Sequence, residues 1–240
     1  MEKNYIKFGE KMKYKINNEE SIYCDKIEYR ELFEKIKDNN FVELKKLKDN
    51  QRSVVSLVEI EGKKFVLKRP VEKLERYFQR ILTIMFRGES KKEFDGCKKV
   101  LKFSFKGPEP IMVWEKKQKN KIIDSYFLMS YIEGEICKRE EMEKVRDVLY
   151  KIHEKGFYHG DAQRFNFMLT KTKEVYVIDT KLKKDVFGIG KIWDFIELQK
   201  NTNFKNFYFE KKWYYKIFSK LEKRKEKIDY YIKNIRRRFL

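Results

Sequence analysis

Cysteine is scarce: Cys24, Cys97 and Cys137 are the only three in 240 residues, scattered and odd in number. That argues against a disulfide framework or a zinc site and for a reducing compartment, with the thiols read as core residues. Three prolines and ten glycines leave little room for long linkers, and at 240 residues the chain is expected to form one domain, or two small lobes sharing a cleft, with a real core. No segment approaches the roughly 18 uninterrupted apolar residues of a membrane helix. The N-terminal MEKNYIKFGEKMKYK has basic residues but no apolar h-region, so no secretory signal is expected and the cytoplasm is the expected location. Acidic residues are outnumbered, 38 Asp+Glu against 58 Lys+Arg, for a net charge of +20. A field of that sign draws anions, whether nucleic acid, acidic lipid head groups or phosphorylated substrates, and does not choose among them. With 41% hydrophobic and 16% aromatic residues, the chain is globular rather than disordered.

What is present is a run from Tyr158 to Thr180, YHGDAQRFNFMLTKTKEVYVIDT. His159-Gly160-Asp161 is followed, after four variable residues, by Asn166, and Asp179 closes the apolar run Val175–Ile178. This is the spacing of the catalytic loop and metal-holding aspartate in a phosphotransferase of the protein-kinase type. Phosphoryl transfer needs a carboxylate beside the acceptor hydroxyl, hard oxygen ligands for Mg²⁺, and a cation on the non-transferred phosphates. Asp161 takes the first role, and Asn166 and Asp179 the second. A helix is expected over 140–155, with Met142, Val145, Val148, Leu149 and Ile152 on its apolar stripe and Gly156 past its end. His153 on that stripe reads as a core histidine.

Upstream, Tyr29–Ile36 has the period of a short helix, while Lys13–Tyr23 could be a short strand or an irregular arm. Three antiparallel strands are expected over 41–47, 54–60 and 64–68, the last two joined at Glu61-Gly62. In that layout the turn Asp49–Ser53 covers nucleotide phosphates, with the Ser53 hydroxyl as a contact, and Lys68 reaches the α/β-phosphates. The G-x-G-x-x-G of protein kinases is absent from this turn. An amphipathic helix is expected over Leu74–Met85. Ser90 and Glu93 then form a capping-box pattern opening a helix over 91–101. Glu93 is the first choice for the carboxylate that pairs with Lys68, with Glu89 as its rival and capping as the competing role. The strand from Ile122 runs into Ser130-Tyr-Ile-Glu-Gly134 and looks like a kinase hinge. On that alignment Met129 backs the adenine pocket, and the Ser130 carbonyl and Ile132 amide meet the base.

Together GKKFVLK, LERYFQRIL, SYIEGEIC, IHEKGFYHGDAQRFNFML and VYVIDT resemble the protein-kinase-like superfamily, and within it the lipopolysaccharide core heptose(II) kinases, from about Phe41 onward. The resemblance implies an α+β, bilobal fold, with an antiparallel-sheet lobe over 1–132, a hinge at about 130–134 and a mostly helical lobe over 133–240. It implies Mg²⁺ and ATP, and transfer of the γ-phosphate to a heptose hydroxyl of a lipid-linked, anionic core oligosaccharide at the cytoplasmic face of the inner membrane. It also places Asp194 where the superfamily has an aspartate bracing the catalytic loop, against a plain role in capping a helix that begins there. Gln163 stands where Ser/Thr kinases keep lysine, Thr180-Lys181 where they keep Phe-Gly, and no A-P-E segment follows. A protein substrate is therefore disfavoured, and a compact acceptor site with Arg164 as an anion contact fits better. The tail stripe Trp213, Ile217, Leu221, Ile228, Tyr231, Ile232 and Ile235 reads as packing on the helical lobe or as a basic amphipathic surface for membrane. Two alternatives stand: another small-molecule kinase of the aminoglycoside type, whose acidic site suits this charge poorly, and a non-catalytic basic binding module, which the joint presence of Asp161, Asn166, Asp179 and Lys68 disfavours. Nucleic acid is disfavoured with it.

Overall fold

The computed structural model describes residues 5–8, 11–26, 28–71, 88–119 and 121–238, so the helix expected over Leu74–Met85 lies outside the described residues. The chain forms two compact units, Met1–Gly134 with Thr170–Lys181, and Glu135–Leu169 with Leu182–Leu240.

The first unit is built on an eight-stranded sheet. Its strands are β1 (Tyr5–Phe8), β2 (Lys11–Lys15), β3 (Glu20–Cys24), β4 (Val42–Asp49), β5 (Ser53–Ile60), β6 (Lys63–Pro70), β7 (Pro110–Gln118) and β8 (Lys121–Ser130). They lie in the order β1-β2-β3-β7-β8-β6-β5-β4, antiparallel at every pairing. The three strands expected over 41–68 are thus found. Glu61 (φ 52°) and Gly62 (φ 73°) make the turn between β5 and β6, and two successive positive φ values match the twist of a tight hairpin. The undecided N-terminal arm is strand: Asn17 Oδ1 accepts from the amides of Glu19 and Glu20 at 2.8 and 2.7 Å, turning β2 into β3.

Two helices cover opposite faces of this sheet. α1 (Tyr29–Lys37) buries Phe33 and Ile36 with Ile22, Val58, Met112 and Leu128, while α2 (Glu89–Lys102) buries Phe94 and Cys97 with Val113 and Phe127. Met112 and Val113, like Leu128 and Phe127, are strand neighbours and so point to opposite sides. That is why β7 and β8 read as nearly continuous apolar runs. The expected capping box at Ser90 is not formed. α2 begins at Glu89 on an N-cap Gly88 without a side-chain cap, and the Ser90 hydroxyl is buried against that of Ser125 at 3.0 Å.

The second unit is mainly helical: α3 (Met142–Glu154), α4 (Gly190–Thr202) and α5 (Trp213–Arg238). Gly156 ends α3 with φ 76°, as its position predicts. Val145, Leu149 and Ile152 are buried, as are Phe195, Phe207, Phe209 and Tyr215, with Phe195 stacked on Phe207 at 4.8 Å between ring centroids. One expectation is corrected and one open choice is narrowed. α4 begins at Gly190, so Asp194 lies a full turn inside it rather than at its start. On α5 the packed face carries Tyr215, Phe218 and Glu222, with the Tyr215 hydroxyl donating to Gln199 Oε1 at 2.7 Å. Trp213, Ile217 and Leu221 are exposed instead, and Ile228, Tyr231, Ile232 and Ile235 lie outside the described side chains. No helix among the described residues is long and apolar enough to cross a membrane.

Candidate active site

In the first unit, β6 and α2 bring Lys68 and Glu93 together. Lys68 Nζ lies 2.8 Å from Glu93 Oε2 and 3.0 Å from Asp179 Oδ1. The lysine and Glu93 side chains are 13% and 11% exposed and that of Asp179 is 42% exposed, so the ion pair is interior and its second carboxylate opens to solvent. The Glu89–Glu93 rivalry follows from helix geometry. One turn apart on one face, the two carboxylates meet successive cations, Glu89 pairing with Lys181 and Glu93 with Lys68. Burial disfavours the charge on Lys68, but Glu93 and Asp179 outweigh it and raise its pKa, keeping the ammonium. Glu93 is pushed up, by burial first and by the neighbouring carboxylates, against the pull of Lys68. Two carboxylates meet the Lys68 ammonium here.

A residue that sequence reasoning passed over shapes this cluster. A Cβ on Gly96 would lie 2.1 Å from the carbonyl oxygen of Thr180. The glycine therefore lets α2, which carries Glu93 one turn earlier, touch the backbone of the Asp179 segment. Glycine in mid-helix costs about 1 kcal/mol relative to alanine, and that local cost was the available signal. Asp179 itself holds φ 51°, a left-handed conformation that aspartate tolerates better than most residues and that clusters at functional sites.

The other predicted contacts of this unit are spread along it. Ser53 is buried at the start of β5, and Asn50 Oδ1 already accepts from the amides of Arg52 and Ser53 at 2.9 and 3.1 Å. Met129 packs on the Phe94–Phe127 cluster. Ser130 and Ile132 instead line an open cavity of about 710 Å³ with Tyr131, Glu133, Thr170 and Tyr176. Lys68, Glu93 and Asp179 are not among its walls. The Ser130 amide donates to Glu109 O, and its hydroxyl accepts from Glu109 N at 2.8 Å.

In the second unit, α3, the His159-Gly160-Asp161 loop and α4 converge on Asp194. Its buried carboxylate accepts from the amides of His159 at 2.7 Å and Gly160 at 2.8 Å, and pairs with His153 Nε2 at 2.9 Å. The aspartate is a brace, and the core histidine is its third partner. Gly160 holds φ 84°, open to glycine at no steric cost. Ala162 and Phe167 are wholly buried and anchor the segment. Just before Ala162, Asp161 stays partly exposed, its Oδ1 accepting from Gln163 Nε2 at 2.9 Å and its carbonyl from Asn166 Nδ2 at 2.7 Å. Gln163, noted only as a departure, thus orients the candidate base. Asn166 spends its NH₂ on the loop, which leaves its Oδ1, a hard oxygen, as the group suited to Mg²⁺. Arg164 donates to Cys137 O at 2.9 Å and lies over the Phe165 ring, so part of its guanidinium is structural.

A sheet lysine ion-paired to a helix carboxylate, and an HGD loop hung from a buried aspartate, are parts that define the protein-kinase-like class. Within that class the comparisons are narrower. The family described as lipopolysaccharide core biosynthesis protein (WaaY) matches residues 11–237. The chain belongs to this WaaY family. No curated protein matches the chain. Among solved structures it is similar to one described as WaaP in complex with acyl carrier protein, at 13% identity over 74% of this chain and 79% of that one, with a TM-score of 0.49.

Proposed function

We propose that this chain is an ATP-dependent kinase that transfers the γ-phosphate to a heptose hydroxyl of the lipopolysaccharide inner core, at the cytoplasmic face of the membrane carrying that acceptor. The observation that carries the reading is the buried Lys68–Glu93 pair at 2.8 Å with Asp179 at 3.0 Å. A fixed ammonium beside a solvent-reaching carboxylate suits nucleotide phosphates and their metal better than it suits stability alone, since a buried ion pair is a weak stabiliser. Membership in a family of lipopolysaccharide core biosynthesis proteins supports the acceptor class.

In this reading Mg²⁺-ATP supplies the phosphoryl group and the charge neutralisation that its transfer requires. Lys68 binds the non-transferred phosphates and Glu93 holds it in place. Asp179 and Asn166 offer oxygen ligands to Mg²⁺. Asp161, steadied by Gln163, accepts the hydroxyl proton through its carboxylate, and Asp194 keeps the loop in shape. Ser130 and Ile132 are assigned to the adenine edge through their backbone, with Met129 behind them, and Ser53 to the phosphate-covering turn. The test is a thermal shift with Mg²⁺-ATP: a rise in melting temperature for the wild type that Lys68→Ala and Glu93→Gln reduce. A wild type that is indifferent to Mg²⁺-ATP would instead favour the non-catalytic binding module. A substrate panel with radiolabelled ATP, comparing core oligosaccharide with aminoglycosides, separates the two kinase readings.

A further inference from the structure

The segment Asp185-Val186-Phe187-Gly188-Ile189 has no role in the site described so far. Val186 and Phe187 are 73% and 85% exposed, and Phe187 is the most exposed large apolar side chain among the described residues. Single exposed apolar residues need no explanation, but this exposure is built into the backbone. The Asp185 amide donates to Gly156 O at 2.9 Å, while its carboxylate accepts from the amides of Gly190 at 3.0 Å and Lys191 at 3.2 Å, capping α4. Gly188 turns the chain with φ 69°. The loop is pinned at both ends with its apolar tip outward. Lys183 and Lys184 are exposed beside it, and they pair in register with Tyr158 and Phe157, the strand that runs directly into His159-Gly160-Asp161.

We propose that Val186 and Phe187 form a membrane-docking tip. Both side chains enter the boundary between head groups and acyl chains of an anionic bilayer, and Lys183 and Lys184 meet the head-group phosphates. The flanking lysines and the net charge of +20 are complementary to an anionic surface, and a tip two residues long suits shallow insertion. Docking there fixes at the acceptor's surface the strand pair whose Phe157–Tyr158 strand leads into the HGD loop. That last purpose rests on the proposed lipid-linked acceptor, whereas the docking itself does not.

The test is co-sedimentation of the full chain with vesicles of phosphatidylglycerol and phosphatidylethanolamine, against phosphatidylcholine. The wild type binds the anionic vesicles, less so at high salt. The Val186→Ser/Phe187→Ser variant binds at least about tenfold more weakly, yet phosphorylates delipidated core oligosaccharide at the wild-type rate. A fluorophore on Val186→Cys shifts to the blue on vesicles. Absence of wild-type binding, wild-type binding by the double variant, or a label that stays in water overturns the proposal. So does a loss confined to Trp213→Ser/Ile217→Ser/Leu221→Ser on α5, or a self-association that the tip variant abolishes without any vesicle binding. If the vesicle results hold while no phosphate is transferred to any acceptor, the kinase reading fails and the tip stands.

Discussion

Replacing Asp194 by alanine removes one carboxylate from three donors at once: the amides of His159 and Gly160 and the imidazole of His153, at 2.7, 2.8 and 2.9 Å. Hydrogen bonds to a charged group contribute about 1.5–3 kcal/mol each, so simple addition would reach about 9 kcal/mol. Alanine also removes the cost of burying the charge, and single-partner deletions in buried charged pairs fall nearer about 3–5 kcal/mol. Against a total stability of about 5–15 kcal/mol, that leaves the unit folded but weakened, with a melting temperature lower by about 10 °C. Trp193 precedes Asp194 on α4 with its ring 5.8 Å from that of Phe218, so urea unfolding followed by the fluorescence of Trp193, with Trp114 and Trp213 replaced by Phe, reads the same helix. Hydrogen exchange at the His159 and Gly160 amides gives the local readout. Asp194→Asn, which keeps one acceptor oxygen, should fall between wild type and alanine. A melting shift within about 2 °C for Asp194→Ala, with both amides still protected, would refute the bracing argument.

Gly96→Ala gains about 1 kcal/mol of helix propensity but places a Cβ 2.1 Å from Thr180 O. Backbone displacement of that kind costs about 1–3 kcal/mol, so the variant should melt lower and bind Mg²⁺-ATP more weakly; a more stable variant would contradict the close approach. The thiols form a second test. Burial pushes Cys24 and Cys137 up to about 11 and Cys97 up to about 12, and all three are buried. At pH 8 the folded chain should therefore react with an aromatic disulfide reagent far more slowly than the unfolded chain, which should release three equivalents. Rapid native labelling of any one would show a thiolate where the structure buries a thiol.

The elements that carry Lys68, Glu93 and Asp161 were legible because their spacing is constrained locally. A strand must present Lys68, a helix must present Glu93, and the HGD loop packs its chemistry into six consecutive positions. What was not legible depends on neighbours distant in sequence. The role of Gly96 appears only once Thr180 lies against it, and the orienting role of Gln163 only once the loop is folded. The N-terminal hairpin was undecided because KMKYK alternates over only five residues, and its place in the sheet comes from the pairing of β3 with β7, distant in sequence. On α5 the described part of the most apolar stripe is not the packed face. The packed one includes Tyr215, bonded to Gln199, and a buried Glu222 paired with Lys200 at 2.7 Å, and a search for apolar periodicity passes over both.

The central claim is that Asp161 accepts the proton of a core-sugar hydroxyl as phosphate arrives. The direct measurement is mass spectrometry of purified core oligosaccharide after incubation with Mg²⁺-ATP and either wild-type protein or Asp161→Ala. The account predicts one added phosphate on a heptose with the wild type, and a loss of at least about 100-fold in rate with the variant, whose melting temperature is unchanged. Phosphorylation by Asp161→Ala at near wild-type rate would contradict it.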